Sequence, residues 1–142
     1  MLKDIGIKAQ KAAQQLKKLD SDLKNKIIDD MSHQLLEDKD LILSANNQDL
    51  KNAQDLDLSS ALIDRLTLSE ERITSMSEGL QKIINLEDPV NAVTKSWQTK
   101  EGLNINKVRS PFGVIGVIYE ARPNVTSDVS ALCLKSSNAV VL

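Results

Sequence analysis

Residues 113–142 read GVIGVIYEARPNVTSDVSALCLKSSNAVVL, and this stretch decides the fold. Gly113 to Tyr119 is a continuous apolar run, the pattern of a parallel strand buried on both faces. Pro123 suits the first turn of a following helix, where its missing N–H is no loss, and Asp128 puts negative charge early in that helix. Val125, Val129, Leu132 and Cys133 form an apolar stripe. Lys135 to Asn138 reads as a turn, and Ala139 to Leu142 opens a second apolar strand. The unit is strand–helix–strand, with a crossover expected to be right-handed. Two parallel strands do not bury themselves, and the second one ends the chain with a free edge. On these grounds the chain is expected to be a fragment of an α/β protein.

Upstream of this unit the spacing is helical. Ile5, Ala9, Ala12, Ala13, Leu16 and Leu19 share one face. Ser21 is expected to cap a second helix whose buried stripe is Leu23, Ile27, Met31 and Leu35. A third helix is expected from about Asp40 to Leu56, carrying Leu41, Ile42, Ala45, Leu50 and Ala53. The segment LSSALIDRL at 58–66 predicts a short helical turn. Thr67 and Glu70 have capping-box spacing ahead of Ile73, Met76, Leu80, Ile83 and Ile84. That helix should close between Leu86 and Pro89, since the residue before a proline resists helical geometry. Val93 to Trp97 and Leu103 to Val108 then predict a hairpin around Thr99-Lys-Glu-Gly102, with Trp97 expected to be a packed strand residue.

Composition bounds the function. The 142 residues are 41% hydrophobic and 27% charged with net charge −2, which suits a soluble globular protein and excludes a bulk basic field for nucleic acid. The basic segment 1–26 and the acidic segment 29–57 read as solvated helix faces that meet each other. One Cys and one His exclude an internal disulfide framework and leave a zinc site without ligands. His33, between polar residues, is expected to be structural or solvated. No apolar run reaches transmembrane length and the N-terminus has no secretion-signal core, so no membrane role is expected and the compartment is expected to be the cytoplasm. Cys133 lies on the buried stripe with no base near it in sequence, so it reads as a small hydrophobe rather than a nucleophile.

The string Pro111 to Thr126, PFGVIGVIYEARPNVT, with Leu132-Cys-Leu-Lys135 and Asn138-Ala-Val140, closely resembles the gamma-glutamyl phosphate reductases of proline biosynthesis, a branch of the aldehyde dehydrogenase superfamily. Ala45-Asn46, Asp49-Leu50, Asp64-Arg-Leu66, Arg72-Ile73 and Asp88-Pro-Val90 are similar to that family in the same order. The resemblance implies an α/β fold made of three parts. These are an N-terminal helical region at 1–90, a β-hairpin of oligomerisation type at 91–109, and the truncated start of a Rossmann-like NADP-binding domain at 110–142. It implies NADPH-dependent reduction of gamma-glutamyl phosphate to glutamate-5-semialdehyde by a homo-oligomer. The acyl group would be carried on a cysteine beyond residue 142, so the isolated fragment is expected to be inactive.

The resemblance also implies site residues. Ile118, Tyr119, Glu120, Ala121 and Arg122 form the strand-to-helix turn that lies beside the nicotinamide ribose in the superfamily. Asn124 follows the carboxyl end of the first strand, where open α/β sheets bind ligands, and its amide can donate to a developing oxyanion. A helix cap at Asn124 is the alternative. Arg122 suits either a carboxylate or phosphate, or a structural ion pair. Gly113 and Gly116 either permit close backbone approach or relieve crowding in the sheet. Asn46 and Asp49 fit turn chemistry as well as ligand contact, and Arg65 fits either the substrate side or an ion pair with Asp64 or Glu70. Two departures stand out. Ser137 occupies a position usually held by Gly in the family, at a cost of about 1 kcal/mol if its φ is positive, and Ser110-Pro-Phe112 replaces a more aliphatic stretch. A non-catalytic assembly module, or a nonfunctional truncated product of poor solubility, is the competing expectation.

Overall fold

A computed structural model describes residues 2–120 and 122–142. The order is α1 (Leu2–Leu16), α2 (Ser21–Glu37), α3 (Lys39–Asp55), α4 (Ser60–Leu66), α5 (Glu70–Ile84), β1 (Val93–Gln98), β2 (Asn104–Val108), β3 (Val114–Gly116), α6 (Pro123–Lys135) and β4 (Ala139–Val141). β1 and β2 pair antiparallel, with Trp97 opposite Ile105 and Ser96 opposite Asn106. β3 and β4 pair parallel, Val114 to Ala139 and Gly116 to Val141, and α6 is their crossover. The mixed α/β class and the order of elements match the expectation. No helix among the described residues is long and apolar enough to cross a membrane.

Two small cores hold the chain together. Ile28 of α2, Leu80 and Ile83 of α5 and Ala131 of α6 form the larger one, flanked by Met31, Leu35, Ile84 and Leu134. Ala9 and Ala13 of α1 pack on Ala139 of β4, with Leu16 and Val141 beside them. The Lys-rich first helix therefore lies on the parallel strands.

Helix starts differ in detail from the sequence expectation. Asp20, not Ser21, caps α2, its carboxylate accepting the Leu23 N–H at 2.8 Å. Thr67 and Glu70 form no capping box. Ser69 caps α5 by accepting the Arg72 N–H, while the Thr67 hydroxyl donates back to the Ile63 carbonyl. In both cases several polar residues stand near the boundary, and the one nearest the first free N–H wins.

The buried stripe of α2 is also turned by one residue. Leu23 is exposed, and the line facing α5 and α6 is Lys24, Ile28 and Ser32. Ser32 hydrogen-bonds the Ser77 hydroxyl of α5 at 2.7 Å. Lys24 is 1% exposed and donates to Asp88, to the Lys135 carbonyl and to the Ser137 hydroxyl. Lys135, also buried, donates to Asn25 Oδ1 and the Ile84 carbonyl. This polar knot ties α2, the segment after α5 and the end of α6 together. Burial pushes the Asp88 carboxyl up, but bonds from Lys24 and the Val90 amide, with the charges of Lys24 and Lys135, outweigh it and hold it below the ordinary value. A carboxylate depressed in the folded state stabilises fully above its unfolded pKa, and that stability is lost as pH falls through the folded one. Acidification below about pH 4 should therefore lower the urea midpoint, and Asp88→Asn should blunt the drop.

The turn from α6 to β4 is a Schellman motif: Asn138 N–H bonds the Cys133 carbonyl and Ser137 N–H the Leu134 carbonyl. Ser137 takes φ 55° in it, the left-handed geometry that favours glycine. Its hydroxyl offsets the strain by accepting from Lys24. Ser137→Gly should therefore be more stable than Ser137→Ala by about 1 kcal/mol, since both lose that bond and only alanine keeps the strain. Paired thermal melts of the two variants measure this.

Two strand expectations are corrected. The run Gly113 to Tyr119 is not buried on both faces: only Val114–Gly116 is strand, and Val114 and Ile118 are exposed. Trp97 is 43% exposed and is not packed, its ring lying 5.7 Å from the Lys95 ammonium. Gly113 has φ 111° with open space around its Cα, so its requirement is conformational; Gly116 likewise meets nothing within 4 Å.

Candidate functional site

A cleft of about 300 Å³ opens between α4–α5 and the first turn of α6. Arg65, Arg72 and Gly79 line one side, and Pro123, Asn124 and Asp128 the other. Pro123 fixes the first turn of α6, with Arg122 at the cap position and no side chain capping it. Asn124 is therefore not the helix cap. Its side-chain amide donates to Asp128 Oδ2 at 3.0 Å, one turn along the helix. That bond uses one of two N–H groups and sets the plane of the amide, leaving the second free to donate. The Ser127 hydroxyl bonds the Asn124 carbonyl at 2.9 Å.

The opposite wall is cationic. Arg72 donates to the Asp64 and Thr67 carbonyls, both at 2.6 Å, and to the Asp64 carboxylate at 3.2 Å, so it closes the end of α4. Glu70 pairs with Lys39 at 2.7 Å. The expected partners of Arg65 are thus taken by other residues, and Arg65 lines the cleft. Asn46 is buried and bridges the Leu66 carbonyl and the Leu68 N–H, so it holds the α4–α5 connection.

Before the cleft runs the segment after β3. Ile118 is fully exposed, Tyr119 is 39% exposed, and Glu120 and Arg122 are exposed. The Tyr119 and Thr126 hydroxyls hydrogen-bond each other and brace the turn against α6. Ala121 lies outside the described residues. Arg122 has no ion-pair partner among the described residues. This segment thus presents an open apolar side chain at Ile118 and, at Arg122, a guanidinium able to bind a carboxylate or phosphate.

The remaining candidates lie elsewhere. Cys133 is buried and free, and burial pushes its thiol up. It sits nine residues beyond Asn124 on α6, about 14 Å along the axis. Iodoacetamide should therefore label it markedly more slowly in the native chain than in urea, a rate that mass spectrometry measures. His33 is 68% exposed beside Asp29, as expected of a solvated residue. Among the described residues no group of three His, Cys, Asp or Glu could hold a metal ion. Asp128 and the commitment of Arg72 were not visible as site features in sequence. The i,i+4 spacing of Asn124 and Asp128 was the one available signal.

Comparison with known proteins follows the same line. No family model matches the chain. It is 51% identical over 142 residues to a gamma-glutamyl phosphate reductase of Allorhizobium ampelinum, covering 100% of the chain and 33% of that relative. It is 53% identical over 131 residues to one of Clostridium acetobutylicum, covering 92% and 31%. Among solved structures, the gamma-glutamyl phosphate reductase of Thermotoga maritima matches with TM-score 0.90 and 40% identity, over 94% of the chain and 32% of that protein. The Saccharomyces cerevisiae protein matches with TM-score 0.90 and 32% identity, over 96% and 35%. The chain spans about a third of the length of the curated relatives it matches.

Proposed function

We propose that this chain, which belongs along its whole length with the gamma-glutamyl phosphate reductases, supplies one third of such an enzyme. The reaction is the NADPH-dependent reduction of gamma-glutamyl phosphate to glutamate-5-semialdehyde, a step of proline biosynthesis in the cytoplasm. Residues 1–90 form the helical base, 91–109 the hairpin through which a homo-oligomer assembles, and 110–142 the start of the cofactor domain. The match of the whole chain to about a third of proteins of this name is the observation that carries the reading.

The site residues divide the work. Ile118, Tyr119, Glu120 and Arg122 hold the nicotinamide half of the dinucleotide, with the Tyr119–Thr126 bond fixing the turn. When bound, NADPH supplies the hydride. Asn124 donates its free N–H to the acyl oxygen as charge develops there, and Asp128 keeps the amide in position beforehand, so little reorganisation is needed during reaction. Cys133 is unsuited to carry the acyl group, because its thiol is buried and its thiolate disfavoured. The thiolate is assigned to the remaining two thirds of the relatives' length.

The test is a chimera in which the chain replaces the matching third of the Allorhizobium relative. It should oxidise glutamate-5-semialdehyde in the presence of NADP and phosphate, while the 142-residue chain alone should not. A folded but inactive chimera would overturn the reading. So would turnover by the chain alone that Cys133→Ala abolishes.

A further inference from the structure

Two charges of the α4–α5–α6 cleft have no ion-pair partner among the described residues. Arg72 is committed to Asp64 and two carbonyls, and Glu70 to Lys39. Arg65 has no ion-pair partner among the described residues. On the facing wall, Asp128 Oδ2 accepts from Asn124, and Oδ1 faces Gly79, where an added Cβ would stand 3.6 Å away. The cleft therefore presents one open guanidinium and one open carboxylate oxygen to the same volume. A phosphate dianion would meet Arg65 but be repelled by Asp128. A molecule bearing both an ammonium and a carboxylate satisfies both groups.

We infer that this cleft recognises the α-amino-acid end of the substrate, its α-carboxylate on Arg65 and its α-ammonium on Asp128. The inference rests on the reading given under Proposed function and names the part of the substrate that the cleft selects. Asn124 precedes Asp128 by one helical turn, about 5.4 Å. The Asn124 amide nitrogen itself lies 3.0 Å from Asp128 Oδ2, so a glutamyl chain held by its α end on the Oδ1 side brings its γ carbonyl within reach of the second Asn124 N–H. Gly79 keeps the α5 wall free of a side chain opposite Asp128. Arg65 and Asp128 act as specificity-determining residues, distinct from the proposed oxyanion donor.

The probe is L-glutamate γ-methyl ester, titrated into the full 142-residue chain and followed by amide NMR. Its N-acetyl and α-amide derivatives, which lack the ammonium and the carboxylate charge, are titrated in parallel. Shifts should appear at Gly79, Asn124 and Asp128, and loss of either α group should weaken binding about tenfold or more. Arg65→Gln should erase the preference over the α-amide alone, and Asp128→Asn the preference over the N-acetyl compound alone. Equal binding of the three compounds, no binding of the ester, or variants that weaken all three alike would overturn the inference. Arg65→Lys, on an exposed side chain, keeps the test open if Asp128→Asn unfolds. A chimera that turns over semialdehyde while the cleft ignores the α groups would sink this inference alone.

Discussion

Lys24→Met is expected to destabilise the chain by about 3 kcal/mol, the penalty for removing one partner of a buried ion pair. Methionine matches the stem and stays buried, so lost packing is not the cause. Asp88, with 18% of its side chain exposed, loses its close partner, and the Lys135 carbonyl and Ser137 hydroxyl lose a shared donor. Urea denaturation followed by circular dichroism gives the number. The double variant Lys24→Met with Asp88→Asn should recover part of the loss, leaving a coupling of about 1–3 kcal/mol. A single-variant effect under about 1 kcal/mol would mean that the knot is solvated and contributes little.

The second large effect is on chemistry. In the chimera, Asn124→Ala should lower kcat by about 100- to 1000-fold with little change in KM, as for loss of one oxyanion donor. The side chain is exposed and, among the described residues, hydrogen-bonds only Asp128, so stability should hardly change. Asn124→Asp should do no better, since it sets a second carboxylate against Asp128. Steady-state kinetics decide this, and a fall of less than about fivefold would remove Asn124 from the oxyanion role.

Much of this architecture was legible in the residues. The hairpin around Thr99 to Gly102, the proline-started crossover helix and the strand after Asn138 follow from period and turn chemistry alone. The left-handed serine at 137 was legible too, because a missing glycine marks the place. What escaped had physical reasons. An apolar pattern places Leu23 on the buried stripe of α2, but a polar side chain can take the centre when its partners come from more than 100 residues away, as for Lys24. A run such as Gly113 to Tyr119 shows affinity for burial, yet Ile118 stands fully exposed. Trp97 was placed inside on size, but both faces of its two-stranded ribbon are open. The cleft was the least legible feature. Arg65 gained its role only because Arg72 and Lys39 claimed the acids that sequence spacing had offered to it.

The knot around Lys24 also dictates an order of events during synthesis. Two of its three oxygen acceptors belong to residues 135 and 137. As the chain leaves the ribosome, α2 can settle against α5 through Ile28, Leu80 and the Ser32–Ser77 bond, but the Lys24 ammonium lacks two of its acceptors until more than a hundred further residues have been added. The pairing of α2 with α5 can thus form early, while the charge buried in it is satisfied late, by the turn between α6 and β4.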